Sequence, residues 1–178
     1  QILNGDIEGF RIYRSTTKSG PYTRIGQTAF QNGVFDYSFT DKAPYTGQTN
    51  YYKVCAYNYA GNGVASKILS VKPTVPSPAG LKGSFVSYNG ATLSWESVAE
   101  AKGYRILRGT SKSGPWTRIA SLSGQDNTSY QDNTLEPGKT YYYKVYVYRD
   151  TEHGTVNSSS CSPIAVSTKK KLASPTGL

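Results

Sequence analysis

The chain has 178 residues, of which 37% are hydrophobic and 17% charged, with 16 tyrosines and a formal charge of +9. The low charged fraction and the many aromatic residues argue against intrinsic disorder, and no apolar run approaches the about 20 residues of a membrane-spanning helix. Two cysteines are too few for a disulfide-rich secreted scaffold. The sequence contains no methionine, so we expect a processed product or fragment, with any export signal upstream of Gln1.

Basic residues are scattered singly along the chain, apart from Lys169–Lys171. Dispersed charge of this kind is typical of a solvated surface, although a basic protein also attracts acidic polymers non-specifically. The lysine run is followed by Ser174 and Pro175, which indicates a linker between domains. We therefore expect no nucleic-acid partner.

An internal repeat of 91 to 97 residues organises the whole chain. Four pairs of matching segments carry it: Gly9–Arg14 with Gly103–Arg108, Lys18–Ile25 with Lys112–Ile119, Tyr51–Val54 with Tyr142–Val145, and Ser77–Leu81 with Ser174–Leu178. The differences in spacing are typical of loop insertions and deletions. The repeat predicts two domains and the start of a third.

The second repeat contains a full set of predicted strands, separated by turns. In chain order they are Leu81–Ser87, Ala91–Trp95, a strand around Tyr104–Ile106, Trp116–Leu122, Thr128–Gln131, Tyr141–Tyr148 and Ser160–Ser167. Alternation places one set of side chains inside: Ala91, Leu93, Trp95, Tyr104, Ile106, Tyr141, Tyr143, Val145 and Val147. No apolar period of 3.6 residues is long enough for a helix. The pattern predicts a seven-stranded, two-sheet sandwich.

Two features of the second repeat resemble a known family. The core Trp95 and the motif Leu135-x-Pro137-Gly138-x-x-Tyr141 resemble the signature of the fibronectin type III domain. The resemblance implies tandem immunoglobulin-like β-sandwiches in which the hydroxyl of Tyr141 bonds back to the chain as a tyrosine corner.

The boundaries follow from the repeat: an N-terminally incomplete domain at residues 1–73, a complete domain at 74–168, and a linker with the start of a further repeat at 169–178. The hairpin around Lys112–Ile119 resembles versions in bacterial surface proteins and secreted glycoside hydrolases. The resemblance thus implies an extracellular or cell-surface location, in a bacterium.

The first repeat departs from the pattern at two positions. Asn50 stands where the second repeat has Tyr141, and Gln1 aligns with Trp95, so the opening strands and the core tryptophan are missing. Four inward-facing residues should then be exposed: Phe10, Ile12, Tyr52 and Val54. The missing strands either lie upstream in the natural chain or come from a neighbouring subunit, because an open sheet edge invites strand addition.

Catalytic and metal-binding patterns are absent from the sequence. The single histidine, His153, lies in the predicted polar loop Arg149–Thr155, with no second or third group to form a catalytic triad. Cys55 and Cys161 lie far apart, which predicts free thiols, at the surface or half-buried, rather than a bridge between domains or a metal cluster. The scattered carboxylates Asp36, Asp41, Asp126 and Asp132 could at most hold calcium weakly. We expect no enzyme activity and no cofactor.

The outer faces of the long strands carry tyrosines beside arginines and lysines. The candidate ligand face comprises Arg11, Tyr13, Tyr51, Lys53 and Tyr57 in the first repeat, and Arg105, Tyr142, Lys144, Tyr146 and Tyr148 in the second. Exposed tyrosine beside a cation can stack on sugar rings and pair acidic groups. The alternative is that these cross-strand pairs only stabilise the sheet.

The predicted function is a non-catalytic extracellular spacer and adhesion module in a repeat array, whose partners are neighbouring repeats and, weakly, a glycan or cell-surface polymer. Two alternatives remain open. One is a structural subunit of an extracellular filament or tail fibre in which chain ends complete neighbouring domains. The other is an accessory module of a secreted polysaccharide-degrading enzyme.

Overall fold

The computed structural model describes residues 7–172, which contain 13 strands and no helix. The chain divides into two compact units, Gln1–Thr74 and Val75–Leu178. Within the described residues, no helix combines the length and apolarity that a membrane span requires.

The first unit is a single antiparallel sheet over residues 7–74. Its strands are β1 (Gly9–Ser15), β2 (Thr23–Ala29), β3 (Asn50–Asn58), β4 (Gly61–Ala65) and β5 (Leu69–Val71). They lie in the order β2-β1-β3-β4, and β5 also pairs with β3. The long central strands β1 and β3 carry four of its eight tyrosines and two of its three arginines.

The second unit has two sheets. The strands are β6 (Lys82–Ser84), β7 (Ala91–Ser94), β8 (Gly103–Gly109), β9 (Thr117–Ser123), β10 (Ser129–Asp132), β11 (Thr140–Thr151), β12 (Gly154–Asn157) and β13 (Ile164–Ser167). One sheet has the order β10-β7-β6, and the other has the order β12-β11-β8-β9 with β13 also paired to β11. The prediction of an all-β sandwich is confirmed.

The core of the second unit lies between these two sheets. Every residue predicted to face inward is buried there, and Leu93, Tyr104, Ile106 and Val145 are fully covered. Alternation along each strand predicts this set correctly because successive side chains point to opposite faces of a sheet. Burial of this apolar surface is the main contribution to the unit's stability.

One segment of the second unit differs from the prediction. The polar segment around His153 is not a loop but a tight β-hairpin, because β11 continues to Thr151 and β12 returns from Gly154. Glycine is required at this turn, since Gly154 has a φ of 107°. Sequence reasoning missed β12 because Val156 is its only large apolar residue, which is too little to show alternation.

The predicted tyrosine corner is present in the second unit. The hydroxyl of Tyr141 accepts a hydrogen bond of 3.1 Å from the backbone N–H of Glu136, and the Tyr141 ring is covered by the guanidinium of Arg108 at 5.3 Å. The bond satisfies a backbone donor that the turn leaves unpaired.

The first unit replaces this corner with two residues. Asn50 itself offers neither an aromatic ring nor a hydroxyl at the position that matches Tyr141. Asn50 is buried, and its side-chain oxygen accepts a 2.9 Å bond from the N–H of Tyr45, the residue that matches Glu136. The ring of Tyr45 lies 4.8 Å from the Arg14 guanidinium. A neighbouring residue thus supplies the ring and Asn50 supplies the acceptor.

The inner face of the first unit's sheet is largely uncovered in residues 7–74, as the missing strands predict. Val54 is 37% exposed, whereas its counterpart Val145 is 0% exposed. Ile12 is nevertheless buried, so the expectation of exposure is wrong for that residue. The segment between β2 and β3 is longer than its counterpart and packs Tyr37 on Phe10, with ring centroids 4.8 Å apart.

The Val145→Ala substitution should lower the unfolding free energy of the second unit by about 2 kcal/mol, because it removes two methyl groups and leaves a cavity. The matched Val54→Ala substitution should change the first unit by less than about 0.5 kcal/mol, because Val54 already contacts solvent. Hydrogen exchange resolved by peptide measures both units in one sample. Equal losses at the two positions would contradict the finding that the inner face of the sheet is covered at Val145 and exposed at Val54.

Candidate functional site

The outer face of the first unit is built from β1, β3 and β4. Strand register sets Arg11 beside Cys55 and Tyr13 beside Lys53. The guanidinium of Arg11 lies 4.1 Å from the ring centre of Tyr57.

Asn62 joins Arg11 and Tyr13 on this face. Arg11 donates a 2.8 Å hydrogen bond to its side-chain oxygen, and its amide donates a 2.6 Å bond to the hydroxyl of Tyr13. Lys53 Nζ lies 4.3 Å from the ring centre of Tyr22 and 5.9 Å from that of Tyr13. Cations stacked on aromatic faces and fixed by an amide form an ordered polar surface.

The second unit repeats this arrangement at matching positions. The guanidinium of Arg105 lies 4.7 Å from the ring centre of Tyr148 and 5.9 Å from that of Tyr146. It also donates a 3.1 Å bond to the side chain of Asn157. Lys144 Nζ lies 4.4 Å from the ring of Trp116. Both units therefore carry an arginine–tyrosine–asparagine cluster and a lysine–aromatic stack.

Tyr148 differs from the other candidate ligand residues because it is only 8% exposed, whereas we expected it to be accessible. Strand register places it opposite Gly103, and a Cβ at Gly103 would stand 2.7 Å from the Tyr148 hydroxyl oxygen. The ring fills the space that the glycine leaves and is covered by Arg105. Tyr148 therefore packs as part of the fold.

The remaining candidate residues are half-exposed on the outer faces: Arg11, Tyr13, Tyr51, Lys53, Tyr57, Arg105, Tyr142, Lys144 and Tyr146. Sequence reasoning missed Tyr22 and Trp116, although their place in a repeated hairpin was a usable signal. It also missed Asn62 and Asn157, for which no signal existed, because neither β4 nor β12 was predicted.

A second cluster, also missed, lies between strands at one end of the second unit. The carboxylate of Asp132 accepts 2.8 Å bonds from Arg108 and from the hydroxyl of Tyr143. Its other oxygen accepts a 3.0 Å bond from the N–H of Thr134. Every partner is a donor, as an ionised carboxylate requires.

The first unit contains the same cluster, from Arg14, Asp41 and Tyr52. Arg14 donates a 2.8 Å bond to Asp41, and the hydroxyl of Tyr52 donates one of 2.9 Å. The two aspartates act in the fold rather than as the weak calcium ligands considered from the sequence. Among the described residues, no three His, Cys, Asp or Glu side chains are grouped so that they could hold a metal.

Burial and charge shift the pKa values in these clusters. Burial and the hydrogen bond to Asp41 raise the pKa of Tyr52 to about 12, and burial and the hydrogen bond to Asp132 raise the pKa of Tyr143. Burial alone would raise the pKa of Asp132, but the bonds from Thr134, Tyr143 and Arg108 outweigh it and lower that pKa. Both tyrosines therefore stay protonated and both aspartates ionised near neutral pH, which suits a structural cluster.

The two cysteines are free thiols. Cys55 is buried, whereas we expected a surface or half-buried thiol there, and Cys161 is half-buried. The sulfur of Cys161 accepts a 3.2 Å bond from the N–H of Val145, and burial raises its pKa. A thiol with a raised pKa is a poor nucleophile near neutral pH.

Neither the protein-family models nor the curated proteins contain a match. A segment of two fibronectin type III domains from chicken tenascin is 18% identical, with a TM-score of 0.54, and the alignment covers 96% of this chain and 89% of that one.

Two further solved structures are similar in part. A Fn3-like protein from Clostridium thermocellum is 28% identical with a TM-score of 0.46, over 56% of this chain and 97% of that one. The FN1-FN3 domains of chicken CNTN1 are 19% identical with a TM-score of 0.47 over 91% of this chain, which spans about half, 54%, of that segment.

The tenascin alignment extends over nearly the whole of both chains, so it includes both repeats. Together with the tyrosine corner and the buried Trp95, the alignment leads to one conclusion: the chain has a tandem fibronectin type III fold.

Proposed function

We propose that the chain is a non-catalytic spacer and adhesion segment of an extracellular repeat array, with weak affinity for an acidic polysaccharide of a cell surface. The observation that carries the proposal is the outer face that both units repeat, with a cation and an aromatic ring at each matching position. A protein that acts only as a spacer needs the fold and no particular surface. Repeated weak binding, in contrast, needs a surface of cations and aromatic rings on each unit.

The chemistry of this face suits an anionic sugar polymer. Aromatic rings stack on the apolar faces of sugars, and arginine and lysine attract carboxylate or sulfate groups. The formal charge of +9 adds a long-range attraction that salt should weaken. Two equivalent faces in one chain let weak contacts add through avidity.

The outer-face cations already contact tyrosine rings within the sheet, so cross-strand stabilisation remains the competing explanation. The two explanations differ at Tyr142 and Tyr146. Both are half-exposed, so a ligand could reach them. Tyr148 is buried beneath Arg105 and can serve only the fold.

Binding to immobilised alginate, an acidic polysaccharide, should weaken about two- to tenfold in each of the Tyr142→Ala and Tyr146→Ala variants, because each loses one stacking surface. Binding of the unchanged chain should fall as salt rises, and neutral dextran should bind less. Surface plasmon resonance with the full chain measures all of these affinities.

The Tyr88→Ala variant is the matched control, because Tyr88 is also exposed but lies in the loop between β6 and β7, away from the outer face. It should bind like the unchanged chain. If Tyr142→Ala and Tyr146→Ala also bind unchanged, the outer tyrosines serve only the sheet. If alginate and dextran bind alike, the charged groups play no part.

A further inference from the structure

A row of three residues crosses the outer face of the second unit, and the two at its ends are cations. Strand register sets Leu107 of β8 opposite Arg118 of β9 on one side and opposite Lys144 of β11 on the other. Residues opposite each other on neighbouring strands lie on the same face of a sheet. Arg118 therefore belongs to the outer face together with Lys144.

The first unit carries the same row at matching positions. Tyr13 of β1 lies opposite Arg24 of β2 and opposite Lys53 of β3. Because neighbouring strands are about 4.8 Å apart, the two cations of a row stand on backbones about 10 Å apart. Each unit thus has an arginine and a lysine with one uncharged residue between them, in a row that runs across the strands.

The arginine of each row has no structural role that accounts for it. Arg118 is exposed, and its guanidinium makes no hydrogen bond, ion pair or ring contact with another described residue. The side chain of Arg24 makes one bond among the described residues, of 3.5 Å to Gln27. Arg105, in contrast, stacks on Tyr148. Cross-strand stabilisation therefore explains Arg105 but not the arginine of the row.

Carboxylates do not offset these cations on the strands that carry them. Strands β1, β2, β3, β8 and β9, all fully described, contain no aspartate or glutamate. The one carboxylate of β11, Asp150, lies near its end and is paired with Lys102. A sheet stabilised by charge pairs places opposite charges on neighbouring strands, whereas a face with one sign of charge attracts ligands of the other sign. The outer faces are therefore complementary to an anion.

A second row, of aromatic rings, lies beside the cations of the second unit. Trp116 comes directly before β9, and Tyr142 of β11 lies opposite Gly109 of β8. A Cβ at Gly109 would stand 3.5 Å from the Trp116 ring, so the glycine lies between the two half-exposed rings. Each ring is two residues from a cation on the same side of the row, Arg118 or Lys144, which sets the two rows about 7 Å apart.

The first unit again matches, with Tyr22 directly before β2 and Tyr51 of β3 opposite Ser15 of β1. In both units the residue between the rings is small, and the residue between the cations is uncharged. A polymer that crosses the strands thus meets a ring and a cation on the first strand, neither a large ring nor a charge beside it at Ser15 or Gly109, and a ring and a cation on the third strand.

This spacing selects among acidic polysaccharides. One sugar of an extended chain spans a length comparable with the separation of neighbouring strands, about 4.8 Å. The first and third sugars of a crossing chain then lie at the rings and cations, and the second lies over the middle strand. A charge on every second sugar meets a cation each time, whereas a charge on every sugar places one over the uncharged middle strand, where it has no counter-charge.

We propose that the outer face of each unit binds an acidic polysaccharide in which charged and uncharged sugars alternate, and that the polymer runs across the strands. Arg24 and Lys53 contact its anionic groups in the first unit, and Arg118 and Lys144 do so in the second. The alternation specifies the substrate class of the same outer face and so rests on the polysaccharide binding proposed above.

The first test compares two acidic polymers on the full chain. Hyaluronan carries a carboxylate on every second sugar and alginate on every sugar, and hyaluronan should bind at least about threefold more tightly when chain length and carboxylate concentration are matched. Surface plasmon resonance measures both affinities. Equal or weaker binding of hyaluronan would overturn the alternation. If alginate binding is nevertheless lost in Tyr142→Ala, the proposed function stands without it, whereas absence of binding to both polymers would overturn both proposals.

The second test removes the arginine of the row. Arg118→Gln should weaken hyaluronan binding about two- to fivefold, because the anion loses one of its two cations. Its thermal unfolding should be unchanged, because the guanidinium has no partner in the fold. Lys82→Gln is the matched control, since it removes the same charge from an exposed position on β6, in the other sheet, and it should bind nearly as the unchanged chain does. Equal weakening in the two variants would show that only the net charge matters and would overturn the role of Arg118.

The third test changes the residue between the cations. Leu107→Lys places a cation on the middle strand of the second unit, so the ratio of hyaluronan to alginate affinity should fall about twofold, while the first unit keeps its own row. Leu107→Gln is the matched control, because it removes the same apolar side chain without adding charge, and it should keep the ratio. An unchanged ratio in a folded Leu107→Lys variant, or the same fall in Leu107→Gln, would overturn the proposal. If Leu107→Lys does not fold, the comparison of the two polymers on the unchanged chain and on Arg118→Gln decides.

Discussion

Replacing Asp132 by Asn should lower the unfolding free energy of the second unit by about 3 kcal/mol, because it leaves the Arg108 guanidinium without its buried counter-charge. Asp132 is 1% exposed and also accepts bonds from Tyr143 and Thr134. An amide keeps the shape but offers one acceptor oxygen where the carboxylate uses two. Chemical denaturation followed by tryptophan fluorescence measures the loss, since both tryptophans, Trp95 and Trp116, lie in the second unit.

The matched control is Asp150→Asn, which removes an ion pair with Lys102 in which both side chains are about half exposed. Exposed pairs contribute little because water screens them, so the denaturation midpoint should stay near that of the unchanged chain. A loss in Asp132→Asn no larger than in Asp150→Asn would show that the buried cluster adds nothing to stability.

The same cluster predicts how stability depends on pH. The pKa of Asp132 in the folded chain lies below its ordinary value of 3.8, so the unfolded chain binds more protons between the two values. The contribution of Asp132 is therefore complete above its unfolded pKa and is lost as the pH falls through the folded one. The unchanged chain should lose stability more steeply below about pH 4 than Asp132→Asn does. Parallel acid titrations of the two would contradict this assignment.

Replacing Trp95 by Ala should lower the unfolding free energy of the second unit by about 3 to 5 kcal/mol, because it opens a large cavity between the sheets. Trp95 is buried and packs on Tyr104, with ring centroids 5.4 Å apart at an angle of 60°. A loss of this size approaches the whole stability of a small domain. Urea denaturation followed through the remaining Trp116 reports the change.

Trp116→Ala is the counterpart of that experiment. Trp116 is half-exposed and touches Lys144 on the outer face, so its loss should cost less than about 1 kcal/mol. Trp95 then serves as the reporter. Equal losses in the two variants would mean that the core does not lie where the buried residues place it.

The repeat and the alternation of apolar residues made it possible to predict the fold from the sequence. Both are local properties: a match such as Gly9–Arg14 with Gly103–Arg108 needs no knowledge of contacts, and a period of two assigns each side chain to a face. The inner residues of the second unit and its tyrosine corner at Tyr141 were predictable for this reason.

Alternation assigns a face but does not say whether that face is covered. Tyr146 and Tyr148 share the outer face of β11, yet only Tyr148 is buried, because register sets it opposite Gly103 while Tyr146 lies opposite Arg105. Likewise, Asn50 has no aromatic ring, and Tyr45 supplies the ring that lies against Arg14. Both outcomes depend on a neighbour that sequence spacing alone does not identify.

By itself the sequence determined a tandem β-sandwich, the inward residues of its second unit and the absence of catalytic motifs. The tertiary structure alone decided the partners: Asp132 meets Arg108 and Tyr143 from separate strands, and cations meet rings across the outer faces. Within residues 7–172 it also placed residues 38–41, which match β10 in the repeat, outside any strand. The physical reason is that the alternation of apolar and polar residues is a property of one strand. Strand pairing, the burial of a sheet face and the pairing of charges depend on strands that are distant in sequence.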